Sequence, residues 1–183
     1  MKAQTLISNL TEETKNQINR VNRFNFLSDE VLLYRSSEDS WNILECMEHL
    51  NMYSKFYVPA IQKQISNSNV PPAIEFKSGW LGNYFANSML PGVKPMKTFK
   101  EKNPLGMNLD RRVIEEFLQY ENAMVELLHK ARAKNLNTVK VPITISRFVK
   151  IRLGDTFRFV LNHNERHIVQ AERVAQSIPS FSQ

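Results

Sequence analysis

The chain has few residues that would cross-link it or break its helices. Cys46 is the one cysteine in 183 residues. A lone cysteine excludes an internal disulfide, and that fits a reducing cytoplasm. Five glycines are few, which leans the chain towards helix. No stretch approaches the roughly 18 to 20 apolar residues of a membrane span, so no membrane partner is expected. The first ten residues turn polar too soon for a secretory signal. Acidic residues are also in deficit, with 18 Asp and Glu against 24 Lys and Arg, for a net charge of +6. The basic residues are scattered, from Arg20 and Arg23 through Lys94, Lys97, Lys100 and Lys102 to Arg147, Lys150 and Arg152. They form no basic face with interleaved aromatics and no known motif, so a nucleic-acid partner is not expected. An anionic small molecule is compatible with them, because positive clefts steer anions.

Hydrophobic residues make up 42% of the chain and charged residues 23%, a globular balance, and residues 1–183 are read as one domain. Helical spacing of apolar residues predicts four long helices, over 3–27, 41–65, 109–134 and 153–177. Ser40 and Asn108 are the expected caps of the second and third. Pro59 is placed to kink the second. A short helix is expected over 79–89, with Ser78 as its cap. Residues 91–106 carry Pro91, Pro95 and Pro104 and are expected to be loop. Residues 137–151 alternate and contain Pro142, so they are expected to be extended. The fold class is therefore all-α, a four-helix bundle with long connections, whose core suits a metal site.

Three of the four histidines stand out. His163 and His167 lie four apart in Leu161-Asn-His-Asn-Glu-Arg-His-Ile-Val-Gln170. A helix puts such a pair on one face, where both can grip one ion. His49 lies in Trp41-Asn-Ile-Leu-Glu-Cys-Met-Glu-His-Leu50, on a largely apolar stripe with Cys46, Tyr53 and Phe56. A third ligand from a second helix would leave a coordination position open, the pattern of a reactive metal site. A satisfied core histidine is the alternative for each. His129 sits near the charged end of the third helix and reads as a surface residue. The pair is not a zincin motif, because Asn164 stands where that motif places its glutamate. Glu165 is about 200° around the helix from His163 and points away. Glu45 and Gln170 are candidates for a base or a supporting partner of the site, and Glu48 diverges.

The tryptophan-led segment 41–50 resembles the second helix of the DinB-like, or YfiT-like, bundle proteins. Leu153-Gly-Asp-Thr-Phe-Arg-Phe-Val-Leu-Asn-His-Asn-Glu-Arg-His-Ile-Val-Gln170 resembles that family's last helix. The shared features are a Leu-Gly start, an apolar turn, an HxxRH-type spacing and a glutamine three residues on. The resemblance implies a four-helix bundle with a divalent metal, Zn or Ni, on His49, His163 and His167. It also implies metal-dependent hydrolase or thiol-dependent transferase chemistry with a low-molecular-weight thiol, and a homodimer. A non-catalytic metal-binding, ligand-binding or stress-response protein is the alternative. Residues 67–106 match no family motif and are where substrate choice would lie.

Overall fold

A computed structural model describes residues 1–94 and 98–178, apart from the Arg147 side chain. The chain runs α1 (Ala3–Asn22), α2 (Asp29–Leu33), α3 (Ile43–Asn67), α4 (Trp80–Ser88), α5 (Arg112–Ala131), β1 (Lys140–Ile143), β2 (Ser146–Arg152) and α6 (Leu153–Gln176). Short 3-10 turns occupy Arg23–Phe26 and Lys100–Lys102. Among the described residues the fold is all-α apart from one antiparallel hairpin, β1–β2. The four long helices are α1, α3, α5 and α6. Both α5 and α6 pack against α1 and against α3. That places α1 opposite α3 across the bundle, and α5 opposite α6. No helix among the described residues is long and apolar enough to cross a membrane.

The apolar stripes of the sequence become two clusters along the bundle. One gathers Leu6, Leu10, Tyr57, Ile61, Leu128 and Phe157. The other gathers Val21, Leu32, Met47, Leu50, Phe117 and Ile168. Fully burying a side chain of this size contributes about 1.5–3 kcal/mol. Polar residues interrupt these faces where the bundle is deepest. Thr14, Gln17, Asn51, Glu121 and Asn164 are all buried.

Several boundaries differ from the sequence expectation, each for a local reason. α1 stops at Asn22, five residues short of the expected end, and tightens into the 3-10 turn. α3 is capped by Asn42, not Ser40. The Asn42 side chain accepts from the Glu45 amide, and the Glu45 side chain accepts from the Asn42 amide, a reciprocal capping box. Ser40 instead closes its own turn on Ser37. Asn108 caps nothing, because α5 begins only at Arg112, after Asp110 has accepted the Arg112 amide. Ser78 does not cap α4. Its hydroxyl bonds to Asp155 on α6, and Gly79 takes the cap position. Pro59 lies inside α3, as expected. The extended segment is the hairpin, and it leads directly into α6. Of the loop expected over 91–106, residues 95–97 lie outside the described residues, and the rest is loop except for its one 3-10 turn.

The connection between α3 and α5 is held down by α6. Asp155 is fully buried and accepts from the Gly79 amide at 2.8 Å and from Arg158 at 3.2 Å. Arg158 also donates to Asn83 and Asn87 on α4. The Leu-Gly start of α6 has a packing cause. A Cβ on Gly154 would overlap the ring of Phe76, which lies over this turn. Likewise, a Cβ on Gly82 would come within 2.6 Å of the Asp155 carboxyl. These two close approaches bring α4 and its flanking loops against the face of α6 that carries Asp155, Arg158, Asn162 and Arg166, next to that of the histidines.

Candidate metal centre

His49 projects from α3, and His163 and His167 project from the adjacent α6. The three converge, each offering a ring nitrogen within 4.8 Å of the others. His49 and His163 are buried, at 2% and 5% exposure, and His167 is half-buried. The ring centroids of His49 lie 5.0 Å from His163 and 4.5 Å from His167. Trp41 closes one side, 4.7 Å from His49 and 5.5 Å from His167. Tyr53 closes another, 4.6 Å from His163.

Two of the three rings have their tautomer set by a partner. His49 Nδ1 donates to the Lys102 carbonyl at 2.7 Å, so its Nε2 carries the lone pair. His167 Nδ1 donates to Gln170 Oε1 at 2.9 Å, with the same result. His163 Nε2 faces His49 Nε2 at 3.1 Å. Two imidazole lone pairs at that separation repel unless a proton or a cation lies between them. Burial also keeps the imidazoles neutral. It pushes His49 down to about 4, His167 down to about 3 and His163 well below its ordinary value. Neutral imidazoles oriented through Nδ1–H bonds to oxygen are the donor set that Zn²⁺ and similar ions require. The residues therefore fit a divalent metal.

The supports around His49 were not evident from side-chain spacing. Lys102 presents its carbonyl to His49 because its own ammonium is anchored on the Met52 carbonyl, 2.8 Å away. That ammonium lies 5.5 Å over the Tyr53 ring. Asn103 accepts from the Trp41 indole at 3.0 Å. Gly106 donates to Glu45 at 2.6 Å. The loop after the 3-10 turn is thus fastened at three successive points around the histidine.

Glu45 takes part in that fastening. Its Oε2 caps α3, and its Oε1 is shared by Arg35 and Gly106. It is fully buried, and both of its oxygens are engaged by these bonds. Gln170 does lie at the site, as the partner of His167. Glu48 is near Lys55, at 3.9 Å, and Glu165 pairs with Arg20 on α1, so both turn away as expected. His129 is exposed on the last turn of α5. Cys46 is fully buried, and burial raises its thiol well above the usual range, so it is no nucleophile.

A cavity of about 890 Å³ opens beside the three histidines. Its walls include Trp41, Tyr53, Tyr57, Phe85, Ile151 and Phe159. Arg166 braces the loop that forms one edge, donating to the carbonyls of Ser88, Met89, Leu90 and Val93. Among the described residues, Asp39 is the sole carboxylate on the wall.

Comparison with known proteins agrees with the bundle. The sequence model of the DinB superfamily matches residues 10–171, which covers α3 and α5 whole, most of α1 and α6, and the three histidines. No curated protein and no solved structure matches the chain.

Proposed function

We propose that this chain, which belongs to the DinB superfamily, is a metal-dependent enzyme whose divalent ion, Zn²⁺ or Ni²⁺, is held by His49, His163 and His167. The observation that carries this reading is the convergence of three neutral imidazoles, two of which have their Nε2 lone pairs aimed by Lys102 and Gln170. Bound on three neutral ligands, such an ion keeps its double positive charge and lowers the pKa of a water or thiol beside it. The chain's own residues do the rest. Lys102 and Gln170 hold the rings in register, while Trp41 and Tyr53 exclude water from two sides of the centre.

The wall favours a thiol over water as the nucleophile. Hydrolysis gains from a base beside the metal-activated water to relay its protons, and Asp39, the sole carboxylate on the described wall, is exposed. A thiol starts near a pKa of about 8.5 and ionises beside a cation without such help. We therefore favour thiol transfer, in which the sulfur bonds to an electrophilic carbon and the leaving group departs with its electron pair. The scarcity of carboxylates equally suits a non-catalytic metal-binding or ligand-binding protein, and that is the rival reading.

A turnover assay separates them. Metal-loaded protein is mixed with 1-chloro-2,4-dinitrobenzene and a series of small thiols, and thioether formation with chloride release is followed by absorbance. The expected result is a rate above background with at least one thiol, which returns to background in His163→Ala with helicity unchanged. Background rates throughout the series, from a protein that still carries its metal, would favour the binding reading.

A further inference from the structure

Carboxylates neutralise many of the arginines of this protein. Arg35, Arg111, Arg112 and Arg158 each contact one, and Arg20 contacts two. Arg166 and Arg173, both on the cavity wall, pair with no carboxylate among the described residues. Arg166 bonds four neutral carbonyls, which orient its charge without neutralising it. Arg173 is exposed. Lys94 reaches the same cavity from the loop that Arg166 braces. Three cations thus face a space in which Asp39 is, among the described residues, the one opposing charge. Uncompensated cations around a cleft walled by low-dielectric aromatic rings concentrate positive potential inside it.

Their placement along α6 gives a length. Arg166, Gln170 and Arg173 follow one another at i, i+4 and i+7, so they lie on one face. Gln170 holds His167. Arg173 is six residues beyond His167, or about 9 Å along the helix axis. Trp41 stands at the His167 end of that span, 5.5 Å from the His167 ring, whereas Phe159 and the Phe85 ring packed on it lie on the other side of His163. Along α6 the cavity therefore runs from Phe85 and Phe159, past the histidines and Trp41, to the uncompensated Arg173.

We propose that the cavity binds a small organic acid, with its apolar body against Trp41, its carboxylate on Arg173 and Lys94, and its reacting group about 9 Å away at the histidines. This rests on reading those histidines as the metal end of the cavity. The guanidinium of Arg173 offers the planar fork that matches a carboxylate. Arg166 adds charge beside Arg173 and Lys94, with its Nε and Nη2 already engaged by the loop carbonyls.

The test uses full-length, metal-loaded protein and two matched probes, 4-(imidazol-1-ylmethyl)benzoic acid and its primary carboxamide, titrated calorimetrically. The imidazole serves the metal end, and the probes differ only at the far end. The acid is expected to bind at least about tenfold tighter than the amide, with the ratio falling as salt rises. In Arg173→Gln with Lys94→Gln the acid is expected to fall to within twofold of the amide, while the amide is unchanged. Equal affinities in wild type, a preference that survives in the double variant, or failure of both probes to bind would each overturn the proposal. Failure of the metal reading looks different: both probes would bind equally well before and after metal loading, with the acid-to-amide ratio intact.

Discussion

Zinc at a thousandfold excess over its dissociation constant is expected to raise the unfolding free energy of the wild-type chain by about 4 kcal/mol. The argument rests on a difference between folded and unfolded chains. In the fold, three neutral imidazoles are held together, with two nitrogens facing each other at 3.1 Å. In the unfolded chain His49 and His163 are 114 residues apart, so a tight three-ligand site survives only in the native state. An ion that binds the native state alone stabilises it in proportion to the logarithm of its excess. In His163→Ala the coordinating pair is broken, and the zinc-dependent increment is expected to disappear. Urea unfolding with and without zinc measures both. An equal increment in wild type and His163→Ala would place the ion elsewhere.

Glu121→Gln is expected to stabilise the chain in alkaline solution and to do little at pH 4.5, in metal-free protein. Glu121 lies on α5 at the centre of the bundle, fully buried, with Oε1 bonded to Asn164 at 2.8 Å and Oε2 without a partner among the described residues. Burial, with help from Glu13, pushes its carboxyl up to about 8. The folded chain therefore keeps a proton on Glu121 between about pH 4.5 and pH 8, where the unfolded chain has released it. Folding takes up a proton across that window, so stability contributed by this group falls as pH rises through it. The glutamine amide of the variant has no such proton to lose. The variant's advantage should grow from near zero at pH 4.5 to about 3–5 kcal/mol by pH 8.5, the span of that shift at 1.36 kcal/mol per unit. Chemical unfolding at a series of pH values gives the two curves. Parallel curves would show that Glu121 ionises in the fold as it does in water.

Much of this arrangement was legible in the residues, and the parts that were not share a cause. The four long helices follow from apolar stripes, because one buried face per helix imposes a period near 3.6 whatever the helix packs against. The histidine cluster followed from the i, i+4 pair and from the apolar stripe around His49. Caps were harder. Ser40 and Asn108 are good capping residues beside equally good ones, and only pairing decides. Asn42 prevails because Glu45 stands three residues on and can return the bond, a signal that was present in the sequence. The partner of His49 could not be read at all. It is the backbone carbonyl of Lys102, 53 residues away, and a carbonyl leaves no mark on residue identity. Glu45 drew notice because it is acidic and near His49 in sequence. Its location beneath a loop depends on Arg35 and Gly106, which only the tertiary fold brings to it. The cations of Arg173 and Lys94 stand out only by contrast with the paired arginines elsewhere.

The central claim is that three histidines hold one ion. Elemental analysis of gently purified wild-type protein, beside His49→Ala and His163→Ala, tests it most directly. The account predicts one divalent metal per wild-type chain and almost none in either variant, with the helical spectrum unchanged. A wild-type chain that takes up no metal under any loading condition would contradict it, and so would variants that retain the full complement.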